Sequence, residues 1–129
     1  MKIYTSYFGN MRAFAKKGIV AISIARYSPR WYRGVRYTEV APTSYMLGDS
    51  CSHEEYLEKY DEILNSLNAD DVVNKIKVLA QGKDVALCCY EKPEDFCHRH
   101  LLAEWLTKNG YELKEWKKEN EEKQATLFD

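Results

Sequence analysis

The run Ile19-Val20-Ala21-Ile22-Ser23-Ile24-Ala25 carries a single polar side chain. Alternate side chains of a strand point to opposite faces, so a strand that is apolar throughout needs both faces covered. Bounded by Gly18 and by Ser28-Pro29, this run reads as an interior strand of a sheet. Two other segments also read as strands. Ile3–Tyr7 is closed by Phe8-Gly9-Asn10, and Val85–Tyr90 is a short apolar run.

Helical patterns separate these runs. Met11–Lys17 is a short helix with Gly18 as its stop. Ser52 and Glu55 form a capping box for a helix from about His53 to Leu67. Its stripe is Tyr56, Leu57, Tyr60, Ile63, Leu64 and Leu67. Asp70 or Asp71 caps a second helix carrying Val72, Val73, Ile76, Leu79 and Ala80, ending near Gly82. After the turn Glu91–Asp95, Phe96–Lys108 is a helix with Leu101, Leu102, Trp105 and Leu106 facing inward, stopped by Asn109-Gly110. Tyr111–Trp116 is a final strand. Between Arg26 and Gly48 the pattern is irregular, and Arg36–Ala41 is either a short strand or an extended loop. Strands alternating with helices predict a single layered α/β domain over 1–116, its sheet mostly parallel and flanked by helices. Residues 117–129 form a charged C-terminal tail.

A chain of 129 residues supports one modest core without a disulfide or metal staple. Its net charge of −1 gives no global field for coating DNA. Arg26, Arg30, Arg33 and Arg36 cluster, which suits a local anion site. Acidic residues dominate Glu54–Glu62 and Glu112–Glu122. No stretch is long enough to span a bilayer, and the N-terminus lacks a signal-peptide core. The expectation is a cytoplasmic protein without membrane contact. In a reducing compartment its four cysteines are not a disulfide framework. Cys88 and Cys89 face opposite sides of their strand.

Ligands of open parallel sheets sit outside the carboxyl ends of the strands. Those ends are Tyr7, Arg26 and Tyr90-Glu91-Lys92, which converge on one crevice if the strands are parallel neighbours. Cys97-His98-Arg99-His100 opens the following helix. Backbone N–H groups and the positive end of the macrodipole favour an anion there. Arg99 adds a bidentate fork. The same field lowers the pKa of the Cys97 thiol, and His98 is a proton carrier. Glu91 either accepts a proton or holds Arg26 or Lys92. The catalytic candidates are therefore Cys97, His98 and Glu91, and the ligand-binding candidates are Tyr7, Arg26, Tyr90, Lys92 and Arg99. The plainer alternative makes Cys97 a small helix-start residue and His98 a surface group. Cys88, Cys89, Cys97, His98 and His100 are zinc-ligand types, but the usual Cys-x₂-Cys and His-x₃-His spacings are absent. No metal or other cofactor is expected.

The segment from Leu87 to Leu106, with Cys89-Tyr90-Glu91-Lys92 and Cys97-His98-Arg99, resembles the signature of the domain of unknown function 488 family. Ser23-Ile24-Ala25-Arg26, Pro29, Trp31-Tyr32 and Ala41-Pro42-Thr43 resemble a second pattern of one subgroup, and Tyr7-Phe8-Gly9-Asn10 resembles its start. The likeness runs from about Tyr4 to Trp116. It implies an α/β domain of bacterial, archaeal or phage origin, with Arg26, Glu91, Cys97, His98 and Arg99 sharing a site. It implies no particular activity. Many relatives carry an acid shortly before the first arginine, where this chain has Ser23-Ile24-Ala25.

Two function classes follow. One is an enzyme or binding domain for an anionic small molecule or nucleotide. The other is a nucleic-acid-associated module, with Trp31, Tyr32 and Tyr37 beside the arginines as a surface for single-stranded nucleic acid. Gln124-Ala125-Thr126-Leu127-Phe128 resembles the pentapeptide that docks bacterial DNA-processing proteins on the sliding clamp. There Gln124, Leu127 and Phe128 are the anchors, unless the apolar pair packs on this domain.

Overall fold

Strands β1 (Ile3–Tyr7), β2 (Val20–Ser23), β3 (Val35–Arg36), β4 (Val85–Cys89) and β5 (Leu113–Glu115) form one sheet. Their order is β3-β2-β4-β1-β5, and every pairing is parallel. The computed structural model describes residues 1–90 and 97–116. Val85 stands in register with both Ile3 and Val20, so β1, β4 and β2 start in step. Their carboxyl ends, at Tyr7, Cys89 and Ser23, therefore come out side by side.

Among the described residues four α-helices flank this sheet: α1 (Met11–Lys17), α2 (His53–Asn65), α3 (Ala69–Leu79) and α4 (His98–Lys108). The chain travels one way from β1 to β2, and the other way from β3 to β4 and from β4 to β5. Right-handed crossovers then put α1 on one face and the other helices opposite. The packing agrees. Ile22, Leu87, Val72, Ile76, Leu102 and Leu106 share one cluster, while Phe8, Phe14, Ala86, Cys88 and Trp116 share the other. Strand β4 is buried at every position. Cys88 and Cys89 fall in opposite clusters, as strand alternation requires.

Local chemistry sets the ends of the elements. Gly18 stops α1 at φ +70, a backbone conformation that favours glycine. Ser52 Oγ accepts the Glu55 N–H at 3.1 Å and starts α2. The cap of α3 is Asn68, whose Oδ1 accepts the Asp71 N–H at 3.1 Å. Asp70 and Asp71, expected as caps, lie in the first turn instead. There their charge still favours the helix dipole. Strand β2 ends earlier than the apolar run suggests. Ser23 Oγ accepts the Ala25 N–H and bonds Ser28 Oγ, a serine turn that competes with the ladder. The residues after Arg36 form a short 3₁₀ turn, Thr38–Val40, rather than more strand.

Tyr32 fastens the irregular segment to the sheet. Its hydroxyl accepts the Ser23 N–H at 3.2 Å and shares its proton between the carbonyls of Val35, at 2.5 Å, and Ala21, at 3.2 Å. In α4, Leu102 and Leu106 are fully buried, while Leu101 and Trp105 are half-buried. Phe96, the expected first residue of that helix, lies outside the described residues. No helix among the described residues is long and apolar enough to cross a membrane.

Candidate functional site

A cavity of about 160 Å³ opens at the carboxyl ends of β2 and β4. Arg26, Tyr56, Cys89, Tyr90, Cys97 and His98 line it, with Ala25, Tyr27, Pro42 and Leu47 completing the wall. A larger groove of about 380 Å³ lies between α2 and α4. Its rim cation, Lys108, is paired with Glu104 at 3.2 Å, and no buried charged group lines it among the described residues. The smaller cavity is where the strand ends and the α4 N-terminus meet.

Arg26 is half-buried and held in place by main chain. Its Nε donates to the Pro42 carbonyl at 2.8 Å and its Nη2 to the Thr38 carbonyl at 3.3 Å. No carboxylate pairs with it among the described residues. Tyr90 is 50 % exposed at the mouth, its ring edge-on to Phe8 with centroids 5.2 Å apart. Trp31, 58 % exposed, meets Phe8 from another side.

His98 is buried at the first position of α4. Its Nε2 lies 2.6 Å from the Ile24 carbonyl, and its Nδ1 lies 3.7 Å from Cys97 Sγ. A carbonyl can only accept, so Nε2 carries the proton and Nδ1 presents a lone pair. Burial pushes the imidazole pKa down to about 4, against the opposing effect of the Ile24 bond. The ring is thus neutral near pH 7, not the proton carrier that an ordinary histidine pKa predicts.

The structure corrects the reading of the cysteines. Cys89 at the end of β4 and Cys97 at the cap of α4 are joined by a disulfide across a sequence separation of 8. The free thiol expected at Cys97 therefore requires prior reduction. The spacing of the two cysteines gave no hint of the pairing, because the contact arises from the return of the chain after β4. Cys51 and Cys88 are free, and burial pushes the Cys88 thiol up to about 12.

Arg99 also departs from expectation. Its side chain is fully buried and does not line the cavity. Nε and Nη2 each donate to Glu115 at 3.1 Å, and Nη1 lies 2.9 Å from Cys89 Sγ. The fork read as a ligand clamp holds a carboxylate of β5 instead. Tyr7 ends β1 beside Cys89. Its ring lies so close to Gly9 that a Cβ there would come within 2.6 Å of it, and it does not line the cavity. Glu91 and Lys92 lie outside the described residues, as do Gln124, Leu127 and Phe128.

Tyr56 is the lining residue that the sequence hid, because its place on the α2 stripe reads as core. The arrangement as a whole places the Arg26 guanidinium in one cavity with a helix N-terminus and with sulfur and imidazole groups. It defines a small all-parallel α/β domain with a cysteine–histidine cavity at the strand ends.

The chain belongs to the DUF488 family. Residues 4–110 match the family model DUF488-N3a, described as the active DUF488-N3 subclade. No curated protein and no solved structure shows significant similarity to it.

Proposed function

We propose that this cavity binds an anionic group, the phosphate of a nucleotide or of another small molecule, between Arg26 and the N-terminus of α4. The observation that carries this reading is Arg26 itself. It is a cation fixed by two backbone carbonyls, without a carboxylate partner among the described residues, in the same cavity as Cys97 and His98. A helix start adds N–H donors and a positive dipole end. The volume of about 160 Å³ is smaller than the roughly 300–1,000 Å³ that encloses a drug-sized ligand. It suits one end of a ligand, with Tyr90 and Tyr27 at the mouth to stack on a base or ring. Where turnover accompanies binding, reduced Cys97 is the nucleophile and Glu91 handles the proton, with the neutral His98 ring beside the sulfur. The matched subclade's description as active favours assaying for turnover.

The test is calorimetric titration of inorganic phosphate and nucleoside mono- and diphosphates into the full chain and into Arg26→Gln. The expected result is saturable binding that weakens at least tenfold in the variant, at unchanged circular dichroism. Equal affinity in both proteins would remove the reading.

A second reading rests on Trp31 and Tyr27, which are 58 % and 60 % exposed beside Arg30 and Arg33, whereas Tyr32 and Tyr37, expected on the same surface, are buried. Aromatic faces beside arginines suit single-stranded nucleic acid. Binding of a labelled oligonucleotide should fall steeply with salt and weaken in Trp31→Ala. The tail peptide with Gln124, Leu127 and Phe128 is proposed as a sliding-clamp ligand on its sequence alone. Titration of a purified clamp with the tail peptide checks it.

A further inference from the structure

Cys89, Cys97 and His98 place their donor atoms within 4.8 Å of one another at the floor of the cavity. We propose that these three residues, with the cysteines reduced, form a site for a thiophilic divalent cation of the zinc class, its fourth position open to the cavity. The proposal does not rest on the anion-binding reading, since Arg26 takes no part in it.

Four features of the geometry support it. The first is the edge between Cys97 Sγ and His98 Nδ1, which is 3.7 Å. Zinc holds sulfur at about 2.3 Å and nitrogen at about 2.0–2.1 Å, so two such ligands of a tetrahedral ion stand about 3.5 Å apart. The second is the orientation of the imidazole. Its Nε2–H donates to the Ile24 carbonyl, which leaves Nδ1 as the donor toward the sulfurs. Metal-bound histidines characteristically give their other N–H to a carbonyl or carboxylate in this way. The third is the positive surroundings of the sulfurs. Arg99 Nη1 lies 2.9 Å from Cys89 Sγ, and Cys97 caps α4. Both stabilise thiolates, the form that binds metal. The fourth is the backbone. The Cα atoms of Cys89 and Cys97 are 7.4 Å apart, wider than the usual disulfide span of about 4.4–6.8 Å. Two thiolates on one ion cover that distance.

Disulfide and metal are alternative occupants of the same two sulfurs. A dithiol reductant transfers two electrons and two protons to the disulfide, gives two thiols and becomes a cyclic disulfide itself. Zinc then displaces both thiol protons to solvent, and each sulfur donates a lone pair to the ion. Two cysteines, one histidine and an open position match the donor set of catalytic zinc centres.

The test uses the full chain, reduced with a dithiol and then desalted without oxygen. Cobalt(II) chloride is titrated and followed by absorption, with zinc chloride as competitor. The expected result is one cobalt per chain, with the intense visible bands of a tetrahedral ion and a sulfur-to-cobalt charge-transfer band, both bleached by zinc. Cys97→Ser and His98→Gln should weaken binding at least a hundredfold, while Cys51→Ser leaves it unchanged. A second measurement on the unaltered chain covers any variant that fails to fold. Zinc should protect Cys89 and Cys97, but not Cys51, from iodoacetamide, as read by peptide mass spectrometry. Absence of stoichiometric cobalt binding, spectra of an all-oxygen octahedral ion, or unprotected Cys89 and Cys97 would overturn the proposal.

Discussion

Arg99 in the first turn of α4 and Glu115 at the end of β5 meet as a forked ion pair, Nε to Oε1 and Nη2 to Oε2, both at 3.1 Å. Thr5 Oγ1 donates to the same carboxylate at 2.7 Å. Together with Thr5 the pair ties α4, strand β1 and the edge strand β5 to one another. Removing one partner of a buried ion pair costs up to about 3–5 kcal/mol. Glu115→Ala should fall at the lower end of that range, since its side chain is 16 % exposed. The double variant Arg99→Met, Glu115→Leu should recover most of the loss. Urea unfolding of the three proteins checks this, and a cost below about 1 kcal/mol for Glu115→Ala would show the pair to be dispensable.

Tyr32 should govern the alkaline side of stability. Burial, with the neighbouring Cys88, pushes its phenol up to about 12 from 10.0. A folded-state pKa above the unfolded value means that the unfolded chain loses the proton first. This contribution is therefore complete below pH 10 and is lost as pH rises toward 12. Tyr32→Phe should flatten that alkaline limb. At neutral pH it should cost about 1–3 kcal/mol, because it strands the Ser23 N–H and the Val35 carbonyl. Chemical denaturation at several pH values separates the two effects.

Gly34 depends on the same tyrosine. A Cβ at position 34 would stand 2.7 Å from the Tyr32 hydroxyl, and the hydrogen bonds of that hydroxyl keep it from giving way. Gly34→Ala should cost about 1–3 kcal/mol by overpacking. In the Tyr32→Phe background the penalty should shrink, so that a double-mutant cycle shows coupling. Strict additivity would mean that the ring yields freely.

Asn68, rather than an aspartate, starts α3 by side-chain capping. Asn68→Ala should destabilise by about 1 kcal/mol. Asp71→Ala should cost about half of that or less, as expected for a first-turn charge acting on the dipole. Thermal melts of both variants rank the two contributions, and the reverse order would return the cap to the aspartate.

The Cys89–Cys97 bridge closes a short loop, with a sequence separation of 8. A crosslink over so short a loop contributes about 2–3 kcal/mol through the unfolded state. Guanidinium unfolding of the metal-free chain, with and without a dithiol, should differ by that amount. Cys88→Ala should leave the difference unchanged, because its sulfur lies on the other face of the sheet.

Much of the fold was legible in the residues. Ile3–Tyr7, Met11–Lys17 and the Ser52 start of α2 stand where pattern and caps put them. These features depend on neighbours a few positions away, and the period of apolar residues records them directly. The parallel sheet followed from strands alternating with helices, and with it the meeting of Arg26, Tyr90, Cys97 and His98 at one set of strand ends.

What the sequence determined alone was thus the class of the fold and most of its helices and strands, though not β3. Partners distant along the chain were decided only by the tertiary structure. Arg99 and Glu115 are 16 residues apart, and His98 and Ile24 are 74 apart. A charged or sulfur side chain has the same local signature whether it faces solvent, a ligand or another strand. Its role is fixed by which group the folded chain brings within about 3 Å of it, and that distance is a property of the packed sheet and helices rather than of any short stretch of sequence.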